Sequence, residues 1–275
     1  MPPLTTETPD MLDPIEYELE FVELLEAPRT PPQWVLPEVI PVGLTIVGGP
    51  PKSLKSTLVL ALCARLAGLP PMRTCGLPEA WRPPVPRLVL YFSAEAVAGE
   101  MAHAWVKILG GAEGALRSPL FLVAHEAMAF RLDDPNGPAR FARWIEALKP
   151  ACVVLDPLRD FHSTKEADDG DINRLLRPLQ RWARQNAAAV VIVHHTRKQF
   201  APGKPTSQHP TLLDPEDLRG TSALWAVADG AIILTPASRQ DDGKIRLLQR
   251  YKRAGMSVRM WELPQLTQRR TKVKE

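Results

Sequence analysis

A lysine and a hydroxyl side chain lie next to each other where an apolar run gives way to a helical pattern. The run Leu44-Thr45-Ile46-Val47 ends in two glycines, and residues 49–57 follow it with the letters GPPKSLKST. This frame, G-x-x-x-x-L-K-S, differs by one residue from G-x-x-x-x-G-K-[ST], in which backbone N–H groups surround phosphates at a helix N-terminus. Lys55 is placed to reach the β- and γ-phosphates and Ser56 to ligate Mg²⁺.

The segment therefore indicates a nucleotide triphosphate site, with ATP and Mg²⁺ as the expected ligands. We call residues 49–57 the phosphate loop; its candidate nucleotide-binding residues are Gly49, Pro50, Pro51, Lys52, Ser53, Leu54, Lys55, Ser56 and Thr57. The alternative is an ordinary lysine-serine helix start that follows a loop.

Leu54 replaces the second glycine of the pattern. A leucine cannot adopt a positive φ cheaply, so the loop must pass through this position with a negative φ or be strained there. Lys52 adds a second cation near the phosphates, which could partly offset the change. We expect Leu54 to affect hydrolysis more than binding.

Three further apolar runs end in groups that can act on a phosphate. Asp156 closes one run and is a candidate Mg²⁺ ligand through water, although an aspartate often simply ends a strand. Glu95 follows another and could act as general base on the attacking water. His194 and His195 close a third; neighbouring strand residues point to opposite faces, so one histidine is better interpreted as a γ-phosphate sensor than the pair as a metal site.

Arg219 begins the sequence RGTS, directly after a polar, proline-bearing loop over residues 199–218. An arginine at the edge of a domain can act as a finger on a nucleotide bound by a neighbouring subunit. Any surface arginine would fit this position equally well.

These groups need a scaffold in which several strand ends converge, and the periodicity of the chain predicts one. Apolar runs of strand length alternate with segments of helical spacing, and the central runs are apolar on both faces. Strands are predicted at 44–47, 87–92, 120–124, 151–155, 189–193 and 231–234, helices at 57–66, 99–109, 138–148 and 171–185, and a C-terminal hairpin over 244–262. This pattern is typical of an α/β fold with a mostly parallel sheet and helices on both faces, which binds ligands at the carboxyl ends of its strands.

Composition sets broader bounds. With 275 residues and 45% hydrophobic residues, the chain suits one sizeable α/β domain. We predict an acidic, proline-rich lead-in at 1–33, an ATPase domain at 34–262 and a basic tail at 263–275. No run resembles a membrane span or a secretory signal, and Cys63, Cys75 and Cys152 form no C-x-x-C pair, which fits buried thiols in a reducing cytoplasm.

Charge is distributed unevenly, although the formal net charge is only +3. Residues 1–30 contain eight acidic side chains and one basic one, whereas residues 239–275 contain eleven basic and four acidic ones. Such asymmetry suits a polyanion-binding arm or head-to-tail contact between subunits, and equally a solvated tail.

Together these residues resemble the RepA-type hexameric replicative helicases of plasmids, within the RecA/DnaB-like P-loop ATPases. The similarity covers about residues 34–255, in the order of the family: WVLP at 34–37, the phosphate loop, FSAE at 92–95, VLDPLRDFH at 154–162, HHTRK at 194–198 and RGTSAL at 219–224.

The resemblance implies a RecA-like core in a ring-forming motor. Lys55 and Ser56 would hold ATP and Mg²⁺, Asp156 would be the water-mediated Mg²⁺ ligand, Glu95 the catalytic base and His195 the γ-phosphate sensor. Arg219 would be the finger acting in trans, with Lys252 a weaker candidate. The loop at 199–218 would face single-stranded DNA; since Phe200 is its one aromatic residue, backbone charge would dominate that contact.

The function expected from the sequence is a DNA-dependent ATPase, as an oligomeric helicase or translocase of a plasmid, phage or similar element. Its expected partners are other copies of the chain in a hexameric ring, single-stranded DNA and replication proteins. The alternative is a nucleotide-dependent switch, such as a helicase loader or recombination mediator, that binds ATP and DNA without unwinding. Glu95 and Arg219 favour a hydrolase, because a pure binder needs neither. A small-molecule kinase is disfavoured, since no lid-like arginine cluster or acceptor-binding motif stands out.

Overall fold

The computed structural model of the chain describes residues 33–69, 77–109, 119–124, 130–163, 169–195, 218, 223–235, 245–252 and 259–263. The chain divides into two compact units, residues 1–31 and 32–275, and all described residues belong to the second. The predicted lead-in and basic tail lie almost entirely outside the described residues, so the boundaries at 33 and 262 remain predictions.

The core of the second unit is a mixed, mostly parallel sheet. Its strands are β3 (Gly43–Gly49), β4 (Val89–Ser93), β5 (Leu120–Val123), β6 (Cys152–Asp156), β7 (Ala189–His195), β8 (Gly230–Thr235), β9 (Ile245–Tyr251) and β10 (Arg259–Leu263). They are ordered β10-β9-β8-β3-β7-β6-β4-β5; β9 pairs antiparallel with both β8 and β10, and the other neighbours pair in parallel. A separate antiparallel pair precedes this sheet, β1 (Trp34–Leu36) with β2 (Ile40–Pro41).

Helices cover both faces of the sheet. They are α1 (Lys55–Leu66), α2 (Ala98–Leu109), α3 (Gly137–Leu148), α4 (Asp169–Gln185) and α5 (Ala223–Val227), with 3₁₀ turns at Glu79–Trp81 and Leu158–Asp160. Buried side chains of α1 and α2 pack on one face, with Val191 and Val154 of the sheet. Buried side chains of α3, α4 and α5 pack on the other face, with Val190 and Leu155. Consecutive strand residues therefore point into different cores, which explains why the central strands are apolar throughout.

The register brings the carboxyl ends of four strands together. Gly49 of β3 lies opposite His195 of β7, and Ser93 of β4 lies opposite Asp156 of β6. The Ala94 N–H also donates to the Asp156 carbonyl at 2.8 Å, which fixes the chain beyond β4 to the end of β6. Groups that follow these strands are thus held at one edge of the sheet.

The predicted α/β class, parallel sheet, two helical layers and C-terminal hairpin are confirmed. Cys63 and Cys152 are buried free thiols, as expected. Sequence patterning did not reveal the β1–β2 pair or α5, which are very short. Among the described helices, none is long and apolar enough to span a bilayer.

Candidate nucleotide-binding site

The phosphate loop connects β3 to α1 and keeps the backbone shape of a loop that contains glycine. Leu54 directly precedes α1 in the left-handed region, with φ 67° and ψ 25°, and Lys52 also has a positive φ of 62°. Of the two outcomes expected from the sequence, the structure shows the strained one. Leu54 is half-buried and its side chain packs against the core under α1, and this apolar contact opposes the strain.

Lys55 is drawn into the loop. The residue is 6% exposed, and its Nζ donates a hydrogen bond to the Pro50 carbonyl at 2.8 Å. Burial lowers the pKa of Lys55 to about 8, although the negative charges of Asp156 and Glu95 act in the opposite direction. These electrostatic interactions place the ammonium group near both carboxylates, as a group that must bind a triphosphate together with its cation would be.

The base of the loop has no room for larger side chains. A Cβ on Gly49 would lie 2.7 Å from Ser53 Oγ and 3.1 Å from the Leu234 carbonyl oxygen. The Ser53 hydroxyl itself is buried and has no hydrogen-bond partner among the residues that the structure describes. Since a buried hydroxyl without a partner is costly, an acceptor such as a phosphate oxygen would satisfy it.

Asp156 lies at the end of β6 on the face that α1 covers, and two hydroxyl groups donate to its carboxylate. Tyr91 donates to Oδ2, and Ser56 also forms a side-chain hydrogen bond with this carboxylate. Burial raises the pKa of Asp156; the hydrogen bonds from Tyr91 and Ser56 and the charge of Lys55 oppose that shift, and the charge of Glu95 adds to it. Ser56 and Asp156, predicted as Mg²⁺ ligands from separate motifs, are thus in direct contact.

Glu95 is exposed two residues beyond β4, where its carboxylate interacts electrostatically with Lys55 and Asp156. The turn that presents it is held by a hydrogen bond from the Ala96 N–H to Ser93 Oγ at 3.2 Å. An exposed carboxylate beside the phosphate loop is accessible to water, as a general base on an attacking water must be.

The two histidines separate as strand alternation predicts. Val193 packs in the core under α1, so His195, two residues on, lies on that face beside Gly49. His194 is 2% exposed and lies on the opposite face. His195 is therefore the member of the pair on the nucleotide side of the sheet.

The structure does not bring the candidate fingers into this site. Arg219 lies outside the described residues, as does most of the loop at 199–218; Leu218 is described and is buried against Gly48. Lys252 is at the opposite edge of the sheet, where its Nζ donates to the carbonyls of Trp225 and of Ala226, the latter at 2.7 Å, and lies 4.5 Å from the centre of the Trp225 ring. Its contacts are thus made within its own subunit, at the C-terminus of α5.

Two residues at the site were not predicted from sequence. Ser53 falls in a variable position of the loop pattern, so its hydroxyl gave no signal. Tyr91 stands in the otherwise apolar run LVLYF, and a polar tip in such a strand is a weak signal of a specific partner. That partner could not be identified, because the sequence does not reveal that β4 and β6 are neighbours.

The residues fit a Mg²⁺–triphosphate. The site presents a loop of the right shape, a buried amine, an unsatisfied buried hydroxyl and an adjacent hydroxyl–carboxylate pair, and hard oxygen ligands are those that Mg²⁺ prefers.

Comparison with known proteins agrees with this fold and site. The family model AAA_25, described as an AAA domain, matches residues 12–201. Among solved structures, the ATPase domain of a DnaB-like helicase aligns with a TM-score of 0.57 at 14% identity, over 92% of this chain and 95% of that one. A KaiC-like protein, PH0186 from the hyperthermophilic archaeon Pyrococcus horikoshii OT3, aligns with a TM-score of 0.54 at 14% identity, over 86% of this chain and 94% of that one.

At this identity the structural matches show a shared fold, and they confirm the RecA-like core; the finer RepA-type assignment remains a prediction. The family match spans most of the chain, including the phosphate loop, β4, β6 and β7. The chain therefore belongs to the AAA domain family AAA_25, a family of P-loop ATPase domains with a RecA-like core.

Proposed function

We propose that the protein hydrolyses ATP and couples hydrolysis to movement on single-stranded DNA, as an oligomeric helicase or translocase. The observation that supports hydrolysis is the convergence of Lys55, Asp156 and Glu95, which interact electrostatically at one edge of the sheet although they come from three different strand ends. A protein that only stores a nucleotide needs the first two groups and has no use for a base.

The chemistry follows from the role that each group can take. The loop N–H groups and the Lys55 ammonium would stabilise charge on the phosphates as the bond to the leaving group breaks. Glu95 would accept the proton of the attacking water. Bound Mg²⁺ would neutralise phosphate charge, with Ser56 and, through water, Asp156 as its protein ligands. His195, beside Gly49, would sense the γ-phosphate.

The DNA-dependent part rests on charge and on the family resemblance. Eleven basic residues among positions 239–275 supply a surface for a phosphate backbone, and the loop at 199–218 would face the strand. In a hexameric ring, Arg219 would complete the site of the neighbouring subunit. Replication proteins would be the further partners.

The first experiment is ATP hydrolysis by the purified protein with and without single-stranded DNA, with Glu95→Gln as the control. We expect stimulation by DNA that disappears in the control, because that substitution removes the base and preserves the side-chain size. ATP binding without stimulated turnover would contradict the motor and favour the alternative, a helicase loader or recombination mediator acting as a nucleotide switch.

Arg219→Ala tests the assembly. We expect ATP binding to persist while hydrolysis falls, since a finger acts on the neighbour's nucleotide during the reaction and contributes little to binding. Equal losses of binding and turnover would contradict action across subunits.

A further inference from the structure

Tyr91 is buried beside the phosphate loop and has no role in the chemistry proposed above. It is 3% exposed, in the middle of β4, on the face of the sheet that α1 covers. Its hydroxyl donates to Asp156 Oδ2, whereas its ring belongs to the apolar core on that face.

The strand register explains how the two side chains meet. Tyr91 lies opposite Val154 of β6, so Asp156 is two residues further along the neighbouring strand and on the same face. Diagonal neighbours of this kind are within reach of a long aromatic side chain. Ser56, at the start of α1, hydrogen-bonds the same carboxylate, so Asp156 is held between a residue of the sheet and a residue of the phosphate loop.

We propose that Tyr91 is a positioning residue for the Mg²⁺ site, whose hydroxyl fixes the orientation of the Asp156 carboxylate toward Ser56. The inference rests on the proposed nucleotide function, since Asp156 and Ser56 are the residues that would hold the cation. Outer partners of this kind orient metal-binding groups, and their loss commonly costs about 10–100-fold in metal affinity.

A buried tyrosine could equally be a structural residue, and the chain offers a matched comparison. Tyr251, at the end of β9, is also buried, and its hydroxyl donates to the carbonyls of Glu38 and Val39, both at 2.8 Å. It lies at the edge of the sheet opposite the phosphate loop. Tyr251→Phe therefore removes a buried hydroxyl of the same kind without affecting the nucleotide site.

The test measures how much Mg²⁺ strengthens nucleotide binding. The dissociation constant of a fluorescent, non-hydrolysable ATP analogue is determined with excess Mg²⁺ and with EDTA, for the full chain and for Tyr91→Phe and Tyr251→Phe. We expect Tyr91→Phe to reduce the Mg²⁺ enhancement by about tenfold or more, with little change in EDTA. Tyr251→Phe should keep the enhancement of the unmodified protein, even where its unfolding midpoint falls.

The possible results separate the two proposals. An equal enhancement in both variants, or a Tyr91→Phe loss that is the same with Mg²⁺ and with EDTA, overturns the positioning role and leaves the nucleotide site intact. Absence of Mg²⁺-dependent binding in the unmodified protein overturns the proposed function and this inference with it.

A second measurement needs no substitution at Tyr91 to fold. The sequence contains three tyrosines, so protein labelled with 3-fluorotyrosine gives three ¹⁹F resonances, which Tyr17→Phe and Tyr251→Phe assign. Adding Mg²⁺ to the protein bound to the ATP analogue should shift the Tyr91 resonance and leave that of Tyr251 in place. An unmoved Tyr91 resonance overturns the inference.

Discussion

The left-handed backbone at Leu54 predicts that glycine will stabilise the protein more than alanine at this position, the reverse of the usual order. Leu54 has φ 67° and ψ 25°, a conformation that costs an L-residue about 1–2 kcal/mol and costs glycine almost nothing. Alanine has the same Cβ as leucine, so Leu54→Ala retains the strain, whereas Leu54→Gly removes it.

The expected magnitudes follow from three effects. Both substitutions remove the partial burial of the leucine side chain, about 1 kcal/mol for a half-buried leucine. Glycine then regains about 1–2 kcal/mol of strain and loses about 0.4–1 kcal/mol because its unfolded chain is more flexible. The glycine variant should therefore be more stable than the alanine variant by about 0.5–1 kcal/mol and close to the unmodified protein.

The assay is urea unfolding, with the free energies of unfolding of the two variants compared at equal slopes. Ala102→Gly, at an exposed position inside α2, is the control for the ordinary order and should destabilise by about 1 kcal/mol. A Leu54→Ala variant that is more stable than Leu54→Gly would refute the left-handed loop. Because the strain is present before the nucleotide binds, ATP affinity should hardly change in Leu54→Gly; a large gain would mean that binding itself forces Leu54 into this conformation.

Three other perturbations test other parts of the molecule. Burial lowers the pKa of Lys55 to about 8, and only the charged amine attracts phosphates, so ATP affinity should fall as pH rises through that value, by up to about tenfold per pH unit; Lys55→Arg, which stays charged, should bind independently of pH in the same titration. Asp229 accepts a hydrogen bond from the Leu44 N–H at 2.9 Å in the core, so Asp229→Ala should lower the free energy of unfolding by about 3 kcal/mol or more, and Asp229→Asn, which keeps an acceptor, by less; equal losses in urea unfolding would contradict this role of the contact. Gly49→Ala places a Cβ 3.1 Å from the Leu234 carbonyl oxygen and should weaken ATP binding by about tenfold or more in a fluorescence titration, whereas unchanged affinity would show that the base of the loop can yield.

The sequence predicted the sheet because periodicity records burial. Each central strand is apolar over its whole length, since alternate side chains enter two different cores, and the helices between them show the 3.6-residue spacing of one buried side. The carboxyl-edge position of Lys55, Asp156 and Glu95 followed from the same alternation, because polar residues after parallel strands collect at one edge.

What escaped the sequence depends on contacts between distant residues. The two-residue strand β2 lies next to Val39, whose carbonyl, like that of Glu38, accepts a hydrogen bond from the Tyr251 hydroxyl at the far end of the chain. Leu54 looked like a defect because local preference alone disfavours it; its packing against the core under α1 supplies the opposing contact. Tyr91 had a visible hydroxyl and no visible partner until the strand order placed β4 beside β6.

The two edges of the sheet divide chemistry from stability. At the carboxyl edge the buried polar groups include Lys55, Asp156 and Ser53, and Ser53 Oγ has no hydrogen-bond partner within the part of the chain that the structure describes. At the amino edge, Asp229 accepts from the Leu44 N–H, and Arg184 pairs with it at 2.5 Å, so the buried carboxylate there is engaged within the fold. An edge whose polar groups satisfy one another resists unfolding but offers nothing to a ligand, whereas an edge with an unsatisfied hydroxyl and a desolvated amine is stabilised when a triphosphate binds. ATP should therefore raise the melting temperature of Asp229→Asn by as much as it raises that of the unmodified protein, and a smaller shift would mean that the two edges are coupled through β3.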